Sequence, residues 1–184
     1  MIFIIIWSIW FLSEILLNRF LRSGNDGKID HDKGTIRIIW VTIGIANSLG
    51  IGTAALLHLP ISNNLMVPYL GLLLIVFGMI FRFISILTLG KFFSVDVTIR
   101  DNHKLRKAGV YRLIRHPSYS GSILSFIGFG ISLNNWLSLI IISIPVTVAM
   151  INRINIEERL LLDQFGVEYA DYMKKTYRLI PWIY

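Results

Sequence analysis

Gly109–Gly121 reads GVYRLIRHPSYSG, and it sets a basic, aromatic, proline-punctuated segment directly against an apolar run able to enter a membrane. Pro117 suits the first position of a helix, where its missing N–H costs nothing. A helix that begins there leaves its first amides without intrahelical partners, so its start is a ready anion site at the membrane surface. Arg115, His116 and Tyr119 crowd the same turn. The candidate active site is placed at this junction.

On either side of it lie further apolar runs. Crossing a hydrocarbon core of roughly 30 Å takes about 20 apolar residues, and spans are expected at Ile2–Leu17, Ile36–Leu57, Val67–Leu89, Pro117–Leu133 and Trp136–Ile151. The first lacks a basic leader and a small-residue cleavage site before Glu14, so it is read as a retained helix and not as a signal peptide. Asn134-Asn135 leaves almost no loop between the last two spans, which predicts a tight antiparallel hairpin. Pro145 predicts a kink in the fifth. Composition agrees: 54% of the 184 residues are hydrophobic and the mean hydropathy is +0.64, too apolar for an ordinary soluble domain. With no cysteine, disulfides, thiolate nucleophiles and Cys-based metal sites are excluded. The expectation is an all-α integral membrane bundle of five transmembrane helices forming a single domain over residues 1–184. Its first two helices lie in 1–66; the third helix, the connector, the helical hairpin and a helical C-terminal tail lie in 67–184.

Positive charge falls on alternate connections. Arg19, Arg22, Lys28 and Lys33 lie between spans one and two. Lys91, Arg100, Lys104, Arg106, Lys107, Arg112 and Arg115 lie between three and four, and Arg153, Arg159, Lys174, Lys175 and Arg178 follow the fifth. The connections His58–Met66 and Asn134-Asn135 carry neither Lys nor Arg. By the positive-inside rule the amino terminus is outside, while the connector before helix four, the active site and the carboxyl terminus are cytosolic. A multi-pass protein of a prokaryotic inner membrane is expected. The net charge of +7 then answers to anionic headgroups and needs no nucleic-acid partner.

Of the remaining polar residues, Glu14 and Arg82 fall inside apolar runs near their cytosolic ends, where snorkelling accounts for them. The Gly24–Gly34 stretch, GNDGKIDHDKG, has no spacing suited to a metal, and no metal site is expected. Phe92–Ile99 alternates weakly, as an extended strand or irregular loop near the headgroups. After the hairpin, Arg153 and Glu157 are four apart and share a helix face, while Glu158 and Asp163 fall on others. Taken together, a His, two Tyr, a carboxylate–guanidinium pair and an anion-binding helix start could hold a charged soluble cofactor beside a lipid-soluble substrate.

The pattern HKLRKAGVYRLIRHPSYSG at His103–Gly121, followed by EERLLLDQFGVEYADYMKKTYRLIP at Glu157–Pro181, resembles the isoprenylcysteine carboxyl methyltransferase family and its phospholipid methyltransferase relatives. That resemblance implies a membrane enzyme using S-adenosyl-L-methionine, with a lipid or lipidated acceptor such as the carboxylate of a prenylated cysteine. By motif, the cofactor would be held by His103, Leu105, Tyr111, His116, Pro117, Ser118, Tyr119 and Glu157. Arg153 would face the acceptor carboxylate, and Arg153, Glu157 and His116 form the implied catalytic set, the last two available for a proton if the acceptor were an amine. Two other classes fit parts of the pattern. A nicotinamide-dependent reductase like the steroid 5-alpha-reductase group shares the RHPxYxG hairpin, but an acidic residue usually follows the motif glycine there, where this chain has Ser122. A non-catalytic helical module would use the basic connector only to hold headgroups or a partner.

Overall fold

The structure, a computed structural model, describes residues 1–20, 34–90, 105 and 107–184. Among these, six α-helices follow in order: α1 (Ile2–Phe20), α2 (Thr35–Leu56), α3 (Met66–Leu89), α4 (Pro117–Ser132), α5 (Trp136–Phe165) and α6 (Val167–Lys175), with a 3-10 turn at Gly109–Arg112. Positions 24–33 of the polar loop and the segment 92–99, expected to be extended or irregular, lie outside the described residues. Among those described, α1, α2, α3 and α5 are long and apolar enough to cross a membrane. α4 has 16 residues, about 24 Å at 1.5 Å per residue, and falls short of the ~30 Å core.

α4 starts at Pro117, ends just before the Asn134-Asn135 turn, and is enclosed. Its stripe of small residues lets α3 approach until backbones touch: a Cβ at Gly121 would lie 2.7 Å from the Gly78 carbonyl, and one at Gly128 would lie 2.7 Å from that of Gly71. Close approach through small residues is how helices associate where lipid removes the hydrophobic drive. The Ser125 hydroxyl spans the seam, 3.2 Å from both the Ile75 and Gly121 carbonyls. On its other side α4 presents Phe126 and Phe129 to Trp10 of α1, at ring separations of 4.9 and 5.5 Å. That aromatic knot joins Ile75, Ile142, Val146 and Met150 in the core.

α2 packs on α5. Gly50 leaves room for the Ile142 side chain and lends its carbonyl to the Ser138 hydroxyl at 2.7 Å. The opposite face of α2 exposes Ile38, Val41, Ile45 and Leu49. Apolar residues in this helical stripe suit a lipid-facing surface. The expected α4–α5 hairpin is present: Asn134 takes a left-handed φ of 48° and Asn135 caps α5, its side chain accepting from the Ser138 amide at 3.0 Å. α5 stays helical through Pro145 and runs on for 30 residues, carrying the charged Arg153–Arg159 turn beyond the apolar stretch.

Candidate active site

The site collects where α3 ends and α4 begins, against the second half of α5. His116 precedes α4 and is buried. Its amide donates to the Arg178 carbonyl at 3.1 Å, and the Arg115 amide donates to the Tyr177 carbonyl at 2.8 Å. Tyr177 returns a bond from its own amide to the Leu113 carbonyl at 2.8 Å. Residues 113–116 and 177–179 thus lie side by side as a short parallel bridge, and the Ser120 hydroxyl adds a bond to the Leu179 carbonyl at 2.7 Å. The first turn of α4 is less open than its sequence implies. Pro117 has no N–H, the His116 amide is taken by Arg178 and the Tyr119 amide turns back to the His116 carbonyl at 3.1 Å, so an anion finds fewer free donors there than expected.

Two adjacent carboxylates of α5 have opposite surroundings. Glu158 is buried, and its oxygens receive Arg115 Nε at 3.0 Å, His116 Nε2 at 3.2 Å and an Arg178 nitrogen at 2.6 Å. A buried charge needs such partners, and Glu158 is consumed by them. Glu157 is more open, with its side chain 28% exposed. It accepts from the Tyr119 hydroxyl at 3.0 Å and lies 3.9 Å from His116 Nδ1. The His116 ring therefore stands between the two glutamates.

Tyr119 joins charges of opposite sign. Its hydroxyl donates to Glu157 and accepts from Arg153 Nε at 2.9 Å. Arg153 is buried and also reaches the Thr35 hydroxyl at 2.7 Å, at the start of α2. The Arg153–Glu157 pair expected from spacing is accordingly bridged by a tyrosine from another helix. Tyr111 is buried, its hydroxyl 3.4 Å from the Ser85 carbonyl of α3, and its own carbonyl accepts from the Tyr172 hydroxyl at 2.6 Å. Burial, and then the Glu157 carboxylate, raise the Tyr111 hydroxyl above its ordinary range, and burial pushes Tyr172 up to about 12. Both remain protonated donors near neutrality.

Of the residues singled out from sequence, Tyr111, His116, Pro117, Ser118, Tyr119, Arg153 and Glu157 converge here. Leu105 is half-buried before the 3-10 turn, and His103 lies outside the described residues. Glu158 and Arg178 escaped the sequence reading. Helical spacing placed Glu158 on another face without saying that this face points inward, and Arg178 looked like one more orienting charge. The snorkelling expected of Glu14 and Arg82 is corrected as well. Arg82 Nε meets Glu14 at 3.2 Å, with the two side chains only 16% and 13% exposed. Among the described residues no cluster of His, Asp or Glu is arranged to hold a metal ion.

An apolar helical bundle that gathers charged and titratable side chains at one mouth defines a class, membrane-embedded enzymes working where bilayer meets water. Within that class, the chain belongs to the isoprenylcysteine carboxyl methyltransferase family, whose model matches residues 70–163. It is 35% identical over 133 residues to a probable protein-S-isoprenylcysteine O-methyltransferase of Oryza sativa subsp. indica, covering 71% of this chain and 70% of that one. With the protein-S-isoprenylcysteine O-methyltransferase of Saccharomyces cerevisiae it shares 39% over 116 residues, covering 62% of this chain and 48% of the yeast protein. The solved structure of a eukaryotic intramembrane Ras methyltransferase, an isoprenylcysteine carboxyl methyltransferase, is similar over 98% of this chain and 65% of its own, with a TM-score of 0.69 and 27% identity. These relatives are eukaryotic and lend the prokaryotic expectation no support.

Proposed function

We propose that this membrane methyltransferase moves the methyl group of S-adenosyl-L-methionine onto the carboxylate of a lipophilic acceptor, a prenylated cysteine or a similar small lipid, at the cytosolic face. The observation that carries this reading is the Arg153–Tyr119–Glu157 bridge. It presents one cationic and one anionic anchor on either side of a hydroxyl, and the reaction brings together a cationic donor and an anionic acceptor. Glu157 is the reachable carboxylate and suits a positively charged donor, while Arg153 suits a carboxylate. An amine acceptor would meet the guanidinium with the wrong charge.

The donor, when bound, supplies an electrophilic methyl on a sulfonium. With it bound, a carboxylate oxygen would form the new C–O bond as the S–C bond broke, the electron pair going to sulfur. No proton moves, because a carboxylate is already the nucleophile. The protein's part is alignment and exclusion of water. In this reading His103, Leu105, Tyr111, His116, Pro117, Ser118, Tyr119 and Glu157 line the donor side, with the Tyr119 ring offering its face to the cation. Glu158 holds His116, and the 177–179 bridge closes the water side. Residues 1–184 act as a single domain. α4 counts as a fifth, shortened crossing, and the basic connections keep the site cytosolic with the amino terminus outside.

The test is chemical. Purified protein in nanodiscs is given methyl-labelled donor and a farnesylated cysteine peptide with a free carboxyl end. Carboxyl methylation yields label released as methanol by mild alkali. Label that stays base-stable, or no transfer while a long-chain amine lipid is methylated, refutes the carboxylate assignment.

A further inference from the structure

The intramembrane charge pair has a second attachment. The nitrogen of Arg82 that faces α4 donates to the Ser118 carbonyl and the Ser118 hydroxyl at 3.2 Å each, and to the Ser122 hydroxyl at 2.5 Å. Ser118 and Ser122 are one turn apart and share the α4 face turned toward α3. Tyr119 follows Ser118 directly, and its hydroxyl bridges Arg153 and Glu157. The guanidinium reaches that far because Gly121 brings the backbones together at this level, with the Arg82 amide nitrogen only 2.8 Å from where a Gly121 Cβ would stand. Behind it, Glu14 of α1 forms an ion pair with the guanidinium, 3.2 Å from Nε, without hydrogen-bond geometry.

We infer that Arg82 is a positioning residue for the active site: anchored by Glu14, it fixes the first turn of α4 in rotation and height and so sets where the Tyr119 hydroxyl falls between Arg153 and Glu157. Three features favour this over a plain packing role. A lone arginine at this depth is costly, and a carboxylate from α1 alone would satisfy its charge. The two N–H groups of that one nitrogen are instead shared among three acceptors on two residues one turn apart, and one acceptor is a backbone carbonyl, which fixes the main chain and not a side chain. The planar fork of Arg also suits simultaneous contact with a carboxylate and a hydroxyl row better than the point charge of Lys. The direction of control runs from α1 through α3 to α4, so a residue that reaches the site only through Ser118 and Ser122 governs its alignment.

The kinetic arm of the test rests on the methyl-transfer reading; the spectroscopic arm does not. Arg82→Gln, Arg82→Lys and Glu14→Gln are compared with wild type in nanodiscs, with 3-fluorotyrosine incorporated and the Tyr119 resonance assigned through Tyr119→Phe. Arg82→Gln is expected to shift or broaden that resonance and to lower kcat by about 10- to 100-fold, the scale for a misplacement of about 1 Å. Arg82→Lys should restore part of both, and Glu14→Gln should give a smaller change of the same sign. If Arg82→Gln leaves the Tyr119 resonance and kcat at wild-type values, the assignment is overturned. Loss of thermal stability with an unmoved Tyr119 signal overturns it equally, since that is what packing alone would give. A wild-type protein that transfers no methyl group defeats the functional reading while the resonance still decides the role of Arg82.

Discussion

Replacing Gly121 by alanine sets a methyl group where α3 and α4 touch backbone to backbone. The new carbon would lie 2.7 Å from the Gly78 carbonyl oxygen, 2.8 Å from the Arg82 amide nitrogen and 3.0 Å from Arg82 Cβ. None of these atoms can rotate aside. Ordinary contact begins at 3.4 Å, so the two helices must part by about 0.7 Å at this level. Overpacking of this kind costs about 1–3 kcal/mol. The same displacement moves the turn that carries Tyr119, and with about a hundredfold lost per ångström of misplacement the methyl-transfer rate should fall by about 25-fold. Gly44→Ala and Gly52→Ala are the controls, since a Cβ at either position meets nothing within 4 Å. There the better helix propensity of alanine should leave stability unchanged or raised by up to about 1 kcal/mol. Thermal unfolding and turnover are measured for all three in one nanodisc preparation. A Gly121→Ala protein that melts and turns over like the Gly44→Ala control refutes the reasoning.

Calorimetry with S-adenosylhomocysteine should show that His116→Ala and Glu157→Ala each abolish donor binding in a protein that still elutes as a folded bundle, whereas Arg153→Ala keeps donor affinity and raises the KM for the acceptor; wild-type affinity in the first two would be decisive against their assignment. Glu158→Gln removes the carboxylate that three basic groups surround, and breaking a buried pair from one side costs about 3–5 kcal/mol. Limited trypsin digestion read by mass spectrometry should then find cleavage after Lys175 and Arg178 accelerated, and an unchanged pattern would show that Glu158 does not hold the tail. Asn47 is buried, and among the described residues neither of its amide atoms is bonded; Asn47→Leu removes that unsatisfied group, so the melting temperature should stay level or rise.

The long helices were legible because each is an apolar run of the needed length, and the Asn134-Asn135 turn because two residues leave no other geometry. The α4 start was legible from Pro117. Its environment was not, since the amides of Arg115 and His116 are met by Tyr177 and Arg178, and a single parallel bridge leaves no periodic trace in either segment. Arg153 and Glu157 could be placed on one face from spacing alone. That Tyr119 stands between them depends on how α4 docks on α5, which spacing within α5 cannot report. Glu14 and Arg82 show the same limit: each sequence neighbourhood allows a charge to reach water, and only the meeting of α1 with α3 makes pairing the better solution. Glu158 was passed over for a related reason, because a helical wheel sorts residues into faces without naming the inward one.

The bridge between residues 113–116 and 177–179 also bears on biosynthesis. A nascent chain emerging from the ribosome has made all of α1 to α5 before the segment that pairs with residues 113–116 exists. A chain arrested before Tyr177 would therefore have made every helix described and still leave the Arg115 and His116 amides bare.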